Sequence, residues 1–324
     1  MLVLAALVAG CGGTGDNSGS GGDAKLTLVS YSTPREVYDE LIPAFAKTPA
    51  GQGVTFGQSY ASSGEQSRAV ESGLPADIVA FSLEPDITRL VEADLVAPDW
   101  ASDKHEGMVS NSVVVLAVRK GNPKGIKGWD DLVRADVEVI TPNPFTSGGA
   151  RWNVMAGYGA QLEQGKSKDD AVEYLRRLFH NVPVQDKSAR ESLQTFAGGK
   201  GDVLIAYENE AITAQQKGED LDYVIPDETI SIENPIAVVS ETDEPEKAKA
   251  FVDYARSEPA QKIFAEKGYR SILTNLVDAK RYPKPKALFT IEEFGGWEAV
   301  MEEFFDRDAG VMAKIERELG APLE

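Results

Sequence analysis

The feature that most constrains this chain is the order in which two hydrophobic periods alternate along it. Residues 25–32, KLTLVSYS, carry apolar side chains at every second position and stop at a Ser/Thr/Pro cluster, as a half-buried strand does. REVYDELIPAFAK follows with the three-to-four spacing of an amphipathic helix. The pair recurs: GVTFGQSY (53–60) precedes ASSGEQSRAVESG, and the near-continuous apolar run ADIVAFS (76–82) precedes EPDITRLVEADLV. Strands separated by helices at this spacing must pair in parallel, because a helix carries the chain back to its starting edge. The fold class read from this order is α/β.

The second half repeats the theme without repeating the sequence, and no internal repeat of 20–50 residues is present. SVVVLAVRK (112–120) is the most β-branched run, VEVITPNP and GDVLIAYENEA each turn from strand towards helix, and ENPIAVVS (233–240) returns to an early-style strand. Two α/β groups therefore flank two extended runs, 112–118 and 235–240. The expected arrangement has those runs crossing between two lobes, with a ligand in the cleft. Residues 25–111 and 241–324 would form the first lobe and 112–240 the second. One continuous sheet is the alternative that spacing leaves open.

Charge and rare residues remove several classes of function. The formal net charge of −19 leaves no broad basic face for nucleic acid. Only two histidines exist: His105 in the solvated run ASDKHEG and His180 at the end of a charged helix. That argues against a His-rich metal site or a histidine-based triad. The single cysteine, Cys11, has no partner for an internal disulfide. It follows MLVLAALVAG, an apolar run of signal-peptide length, and precedes GGTGDNSGSGGDA. VAGC resembles a bacterial lipobox, so residues 1–24 are expected to be a lipoprotein signal and tether, with Cys11 lipidated. The tether would reach roughly 20 Å by the square-root scaling of Gly/Ser linkers.

Four strand-to-helix loops share one chemistry. SYSTPRE holds Ser32 and Thr33, YASSGEQ holds Ser63 and Gly64, NPFTSGGARWN (143–153) holds Ser147, Gly148 and Gly149, and DKSARES holds Ser188 and Ala189. Each alone reads as an ordinary helix cap. Together they place small, hydroxyl-rich segments at several helix starts, where unpaired N–H groups and the helix dipole favour an anion. None is a phosphate loop of the nucleotide-binding kind: AGGKGDV has Gly201 where Ser or Thr is required, and no dinucleotide fingerprint opens the first strand–helix unit.

Long segments of the chain, NPFTSGGARWN, VRKGNPKGIKGWDDL, GDVLIAYENEA and FTIEEFGGW, resemble the sulfate-binding proteins of bacterial ABC importers. The likeness runs from about Lys25 into the C-terminal region. It implies a two-lobed periplasmic-binding-protein type II fold with two crossing hinge strands. It also implies a monomer without catalytic activity or cofactor that delivers sulfate to permease subunits. The lipobox resembles the Gram-positive form, which is exported and anchored to the membrane bilayer.

Carried over by residue, the resemblance implies a dianion held by backbone N–H groups and hydroxyls, with no contacting cation. Ser63 would supply hydroxyl and amide, Ser147, Gly148 and Gly149 the helix start, and Ala189 and Ser32 backbone amides. Tyr207 stands where many relatives carry tryptophan, and a phenol differs from indole in adding acceptor lone pairs. Arg151 would support the site from behind, and Trp152 and Trp297 would pack. Thiosulfate, molybdate and phosphate compete with sulfate as ligands. An enzyme on the same scaffold is a rival reading, weakened by the placement of Cys11 in the export segment. Phosphate still carries a proton near neutral pH, so a site of donors would leave that proton unpaired.

Overall fold

The computed structural model describes residues 24–323; Cys11 and the segments expected to be signal and tether lie outside the described residues. The strands are β1 (Ala24–Tyr31), β2 (Val54–Ala61), β3 (Ile78–Ala80), β4 (Met108–Arg119), β5 (Val139–Ile140), β6 (Val203–Tyr207), β7 (Leu221–Val224), β8 (Glu228–Val238) and β9 (Ala287–Phe289). They join in the order β2-β1-β3-β8-β4-β6-β5, with β7 against β4 and β9 against β8.

β1 pairs in parallel with β2 and β3, and β5 pairs in parallel with β6. Between these groups lie β4 and β8, antiparallel to each other. β8 meets β3 through Ile236–Val238, and β4 meets β6 through Val114–Val118. The two runs expected to cross are therefore one antiparallel pair, each strand reaching from one parallel group to the other. Both are longer than expected because their pairing begins before the apolar stretch, at Met108 and at Glu228.

Alternation along β4 explains how the second group is packed. Val114, Leu116 and Val118 enter one apolar cluster with Trp129, Trp152 and Leu175. Val113, Val115 and Ala117 point the other way, into a cluster with Ile140, Leu193 and Phe196. A strand buried on both faces reads as continuous hydrophobicity, as SVVVLAV does. The first group is built likewise: Leu26 and Leu28 pack with Phe45 and Phe251 on one face, while Val29 packs with Phe81 and Leu90 on the other.

Helices cover these faces. α1 (Arg35–Ala46), α2 (Ser63–Glu71) and α3 (Pro85–Glu92) serve the first group. α4 (Gly148–Glu163), α5 (Lys168–His180), α6 (Ala189–Ala197) and α7 (Glu208–Gln216) serve the second. The long helical stretch expected after Ala150 divides, because Ser167 starts a new helix by accepting the Asp170 N–H at 3.1 Å. α8 (Pro245–Ala255) and α9 (Glu258–Glu266) return to the first group, where Phe251 and Phe264 are fully buried.

The rest of the C-terminal region packs elsewhere. Phe289, α10 (Gly296–Phe305) and α11 (Val311–Leu319) place Trp297, Phe304 and Ile315 in the cluster of Val114 and Trp152. Gly159 permits this contact, since a Cβ there would stand 2.4 Å from Phe289 Cε2. α8 and α9 therefore pack with the first parallel group, and the segment from Phe289 onward packs with the second. Period alone cannot distinguish which face an amphipathic helix covers.

Candidate functional site

β3 and β6 run in opposite directions, because three antiparallel pairings separate them. The strands of the two parallel groups therefore end facing each other along the β4–β8 pair, and the loops leaving them converge on a small cavity with about 230 Å3 of atom-free space. Ligands in open α/β sheets bind beyond the carboxyl ends of strands for this reason. Ser32, Ser63, Ser147, Gly149, Ala189 and Tyr207 all line it. None of the residues lining this cavity is charged. Four helices begin here: Ser63, Gly148 and Ala189 are the first residues of α2, α4 and α6, and Tyr207 is the cap of α7.

Gly148 stands apart from its neighbours. It does not line the cavity; a Cβ there would lie 2.6 Å from Leu83 Cδ2 and 2.9 Å from Ser82 Oγ. Its role is to let α4 approach the chain after β3. Gly149 faces the cavity, with Ala189, Ser147 and Tyr207 as the nearest atoms around its missing Cβ.

The hydroxyl protons decide what each serine can offer. Ser147 Oγ accepts the Ala150 N–H at 3.3 Å and Ser188 Oγ accepts that of Glu191 at 3.2 Å, so capping leaves both hydroxyl protons free. The capping reading and the anion reading are therefore compatible at Ser147. Ser63 differs from expectation: its hydroxyl donates to Asp86 Oδ2 at 2.5 Å and accepts the Ser82 N–H at 3.0 Å. In this structure only its backbone amide is free to act as a donor towards the cavity. A buried carboxylate at that distance accepts the hydrogen bond of the nearest hydroxyl, and sequence spacing did not reveal that Asp86 would be the neighbour.

Charged groups form a layer behind the lining. Arg151 Nε donates to the Pro144 carbonyl at 2.9 Å, and its guanidinium lies over the Phe305 ring, so it braces the 143–149 loop without lining the cavity. Burial lowers its pKa, with Asp86 opposing that shift. Trp152 is buried, stands edge-on to Trp297 and donates its Nε1–H to the Ser82 carbonyl at 2.9 Å.

Arg190, the second residue of α6, reaches α1: it donates to both Glu36 oxygens, at 2.8 and 2.6 Å, and to the carbonyls of Ser32 and Thr33. Lys217 also pairs with Glu36. Burial would raise the Glu36 carboxyl, but hydrogen bonds from Arg190 and Lys217 together hold it at about 2. Burial pushes both the Tyr207 phenol and the Glu210 carboxyl up.

Ser82 lines the cavity and was not singled out by the sequence. Its signal was present: it is a hydroxyl residue just after a strand and before a helix, like the other four segments. The apolar flanks Phe81 and Leu83 masked it. Among the described residues no cluster of His, Cys, Asp and Glu could hold a metal ion, and no helix is long and apolar enough to cross a membrane.

Residues 26–270 match the family described as bacterial extracellular solute-binding protein. A sulfate-binding protein of Synechococcus elongatus is 43% identical over 96% of this chain and 92% of its own length. A thiosulfate-binding protein of Pseudomonas aeruginosa is 35% identical, covering 90% of this chain and 91% of its own. Among solved structures, the sulfate-binding protein SubI from Mycobacterium tuberculosis H37Rv superimposes with a TM-score of 0.84 at 41% identity, over 87% of this chain and all of that one. Fold, cavity and similarity agree: the chain belongs to the bacterial extracellular solute-binding proteins.

Proposed function

We propose that this protein captures sulfate in the cavity and delivers it to the permease of an ABC importer. The observation that carries the reading is the uncharged lining at the point where α2, α4 and α6 begin. First-turn amides have no intrahelical acceptor, and the dipoles of three helices put partial positive charge there. Sulfate near neutral pH is a pure acceptor, matching a site of donors. The net charge of −19 does not oppose this strongly, since its field is screened within roughly 8 Å at physiological salt. The names of the relatives support the same ligand.

We assign the following roles on that reading. Ser63, Gly148, Gly149, Ala189 and Ser32 offer backbone amides, Ser147 a hydroxyl, and Tyr207 its phenol; Arg151 braces the loop. The first lobe comprises residues 25–111 with α8 and α9, and the second comprises 112–240, to whose core the C-terminal helices are added. We infer that the site binds its ligand without chemistry, in keeping with the names of its transport relatives, and that the chain acts as a monomer. Thiosulfate is the second reading, favoured by the relative from Pseudomonas aeruginosa.

Titration calorimetry of residues 25–324 with sulfate, thiosulfate, molybdate and phosphate at pH 7 tests the ligand. Sulfate should bind at one site, and phosphate about 5- to 150-fold more weakly, from about 1–3 kcal/mol for its unpaired proton. Equal binding of the two would refute the donor-site reading. The full chain should be exported and anchored through a lipidated Cys11. The parent should then partition into detergent and Cys11→Ser into the aqueous phase; identical partitioning would end the anchor proposal.

A further inference from the structure

Ser82 and Tyr207 meet in the cavity from different parts of the fold. Ser82 follows β3 of the first parallel group, and Tyr207 ends β6 of the second. Their hydroxyl oxygens are 2.6 Å apart, and either can be the donor. Both residues are 1% exposed.

The Ser82 backbone is fixed on both sides of this hydroxyl. Its N–H donates to Ser63 Oγ at 3.0 Å, and its carbonyl accepts Trp152 Nε1–H at 2.9 Å and Asn234 Nδ2–H at 2.8 Å. Gly148 packs against its Cβ and Oγ. The hydroxyl is therefore carried on an anchored segment, and its closest polar partner is the phenol.

Two neutral hydroxyls carry two protons. One occupies the bond between them. The other belongs to whichever oxygen accepts within the pair, and it remains available to a group in the cavity. We propose that Ser82 and Tyr207 form a single donor unit, delivering one hydrogen bond to the bound oxyanion and making Ser82 a ligand-contacting residue. This inference rests on the sulfate reading of the cavity.

The unit has a consequence that an isolated donor lacks. Removing the phenol oxygen releases the Ser82 proton for the ligand, and removing Ser82 Oγ releases the Tyr207 proton. Each single deletion keeps one donor; only the double deletion leaves none.

The experiment is a double-mutant cycle on residues 25–324 with Ser82→Ala, Tyr207→Phe and the combination, titrated with sulfate by calorimetry at one salt concentration. Each single variant should lose less than about fivefold in affinity. The double variant should lose about 10- to 150-fold beyond the product of the singles, the loss of one charge-assisted hydrogen bond.

A merely structural role would lower the melting temperature of the ligand-free protein without this coupling in affinity. If the double variant melts below the assay temperature, Ser82→Cys with Tyr207→Phe repeats the cycle, since a thiol keeps the size and donates weakly. A parent that binds sulfate while the cycle is additive, or while one single variant shows the whole loss, overturns the donor unit alone. A parent that binds no sulfate overturns the function reading, and the unit with it.

Discussion

Gly148 and Gly149 are adjacent, yet the same substitution should fail at each for a different reason. A Cβ on Gly149 would stand 3.5 Å from Ala189 Cβ and Ser147 Oγ and 3.7 Å from Tyr207 Cε1, all ordinary contacts. Gly149→Ala should therefore fold, and helix propensity would add up to about 1 kcal/mol of stability. Its methyl would occupy the cavity, where it displaces the ligand from the first-turn amides. Overpacking costs about 1–3 kcal/mol, so sulfate affinity should fall about 5- to 150-fold.

On Gly148 the Cβ would stand 2.6 Å from Leu83 Cδ2 and 2.9 Å from Ser82 Cβ, closer than packed carbons allow. Gly148→Ala should lose a similar 1–3 kcal/mol, about 2–5 °C in melting temperature, as well as affinity. Differential scanning calorimetry and sulfate titration on the same samples separate the two signatures. If Gly149→Ala binds sulfate within about twofold of the parent, less than ~0.5 kcal/mol, the amides of the α4 start do not hold the ligand.

Two acid–base predictions concern groups outside the lining. The folded state holds Glu36 at about 2, below its ordinary 4.5, so its contribution is present above pH 4.5 and is lost as the pH falls towards 2. Its partial exposure reduces the contribution to about 1–2 kcal/mol, and Glu36→Gln should flatten the acid limb of the melting curve; parallel curves would contradict the clasp with Arg190. Glu316 has the opposite sign: burial, opposed by the Gln185 hydrogen bond, raises it to about 7, so folding favours the neutral acid and stability is lost as the pH rises from 4.5 to 7. Glu316→Gln should raise the melting temperature at pH 8 by about 2–5 °C, for about 1–3 kcal/mol, and leave it unchanged at pH 4. An equal shift at both pH values would refute the buried-carboxylate account.

Periodicity made the strands legible because burial on both faces leaves a continuous apolar run, as in SVVVLAV, whereas KLTLVSYS alternates only at its start, where Lys25 and Thr27 keep some exposure before both faces are buried from Leu28 on. The convergence of Ser63, Ser147 and Ala189 was legible in part: parallel strands separated by helices end together within each group, and the crossing of β4 and β8 turns the two groups' ends towards each other. What stayed hidden depended on contacts between distant segments. The Ser63 hydroxyl donates to Asp86, 23 positions away, and Arg190 clasps Glu36 across 154 positions. No local pattern encodes either meeting. The docking of α10 and α11 was hidden as well, since Trp297 and Ile315 mark an apolar face without naming the surface it covers. Gly148 and Gly149 read as one motif, yet the first serves packing against Ser82 and the second lines the cavity.

A crystal structure of residues 25–324 grown with sulfate tests the central claim, that uncharged donors at helix starts hold the anion, most directly. The expected electron density places the dianion among Gly149, Ala189, Ser147 and the Ser82–Tyr207 pair. Backbone and hydroxyl donors should lie about 2.7–3.2 Å from its oxygens, with no lysine or arginine side chain in contact. Sulfate bound instead against a guanidinium, such as that of Arg151 or Arg190, with this cavity left unfilled, would contradict the account.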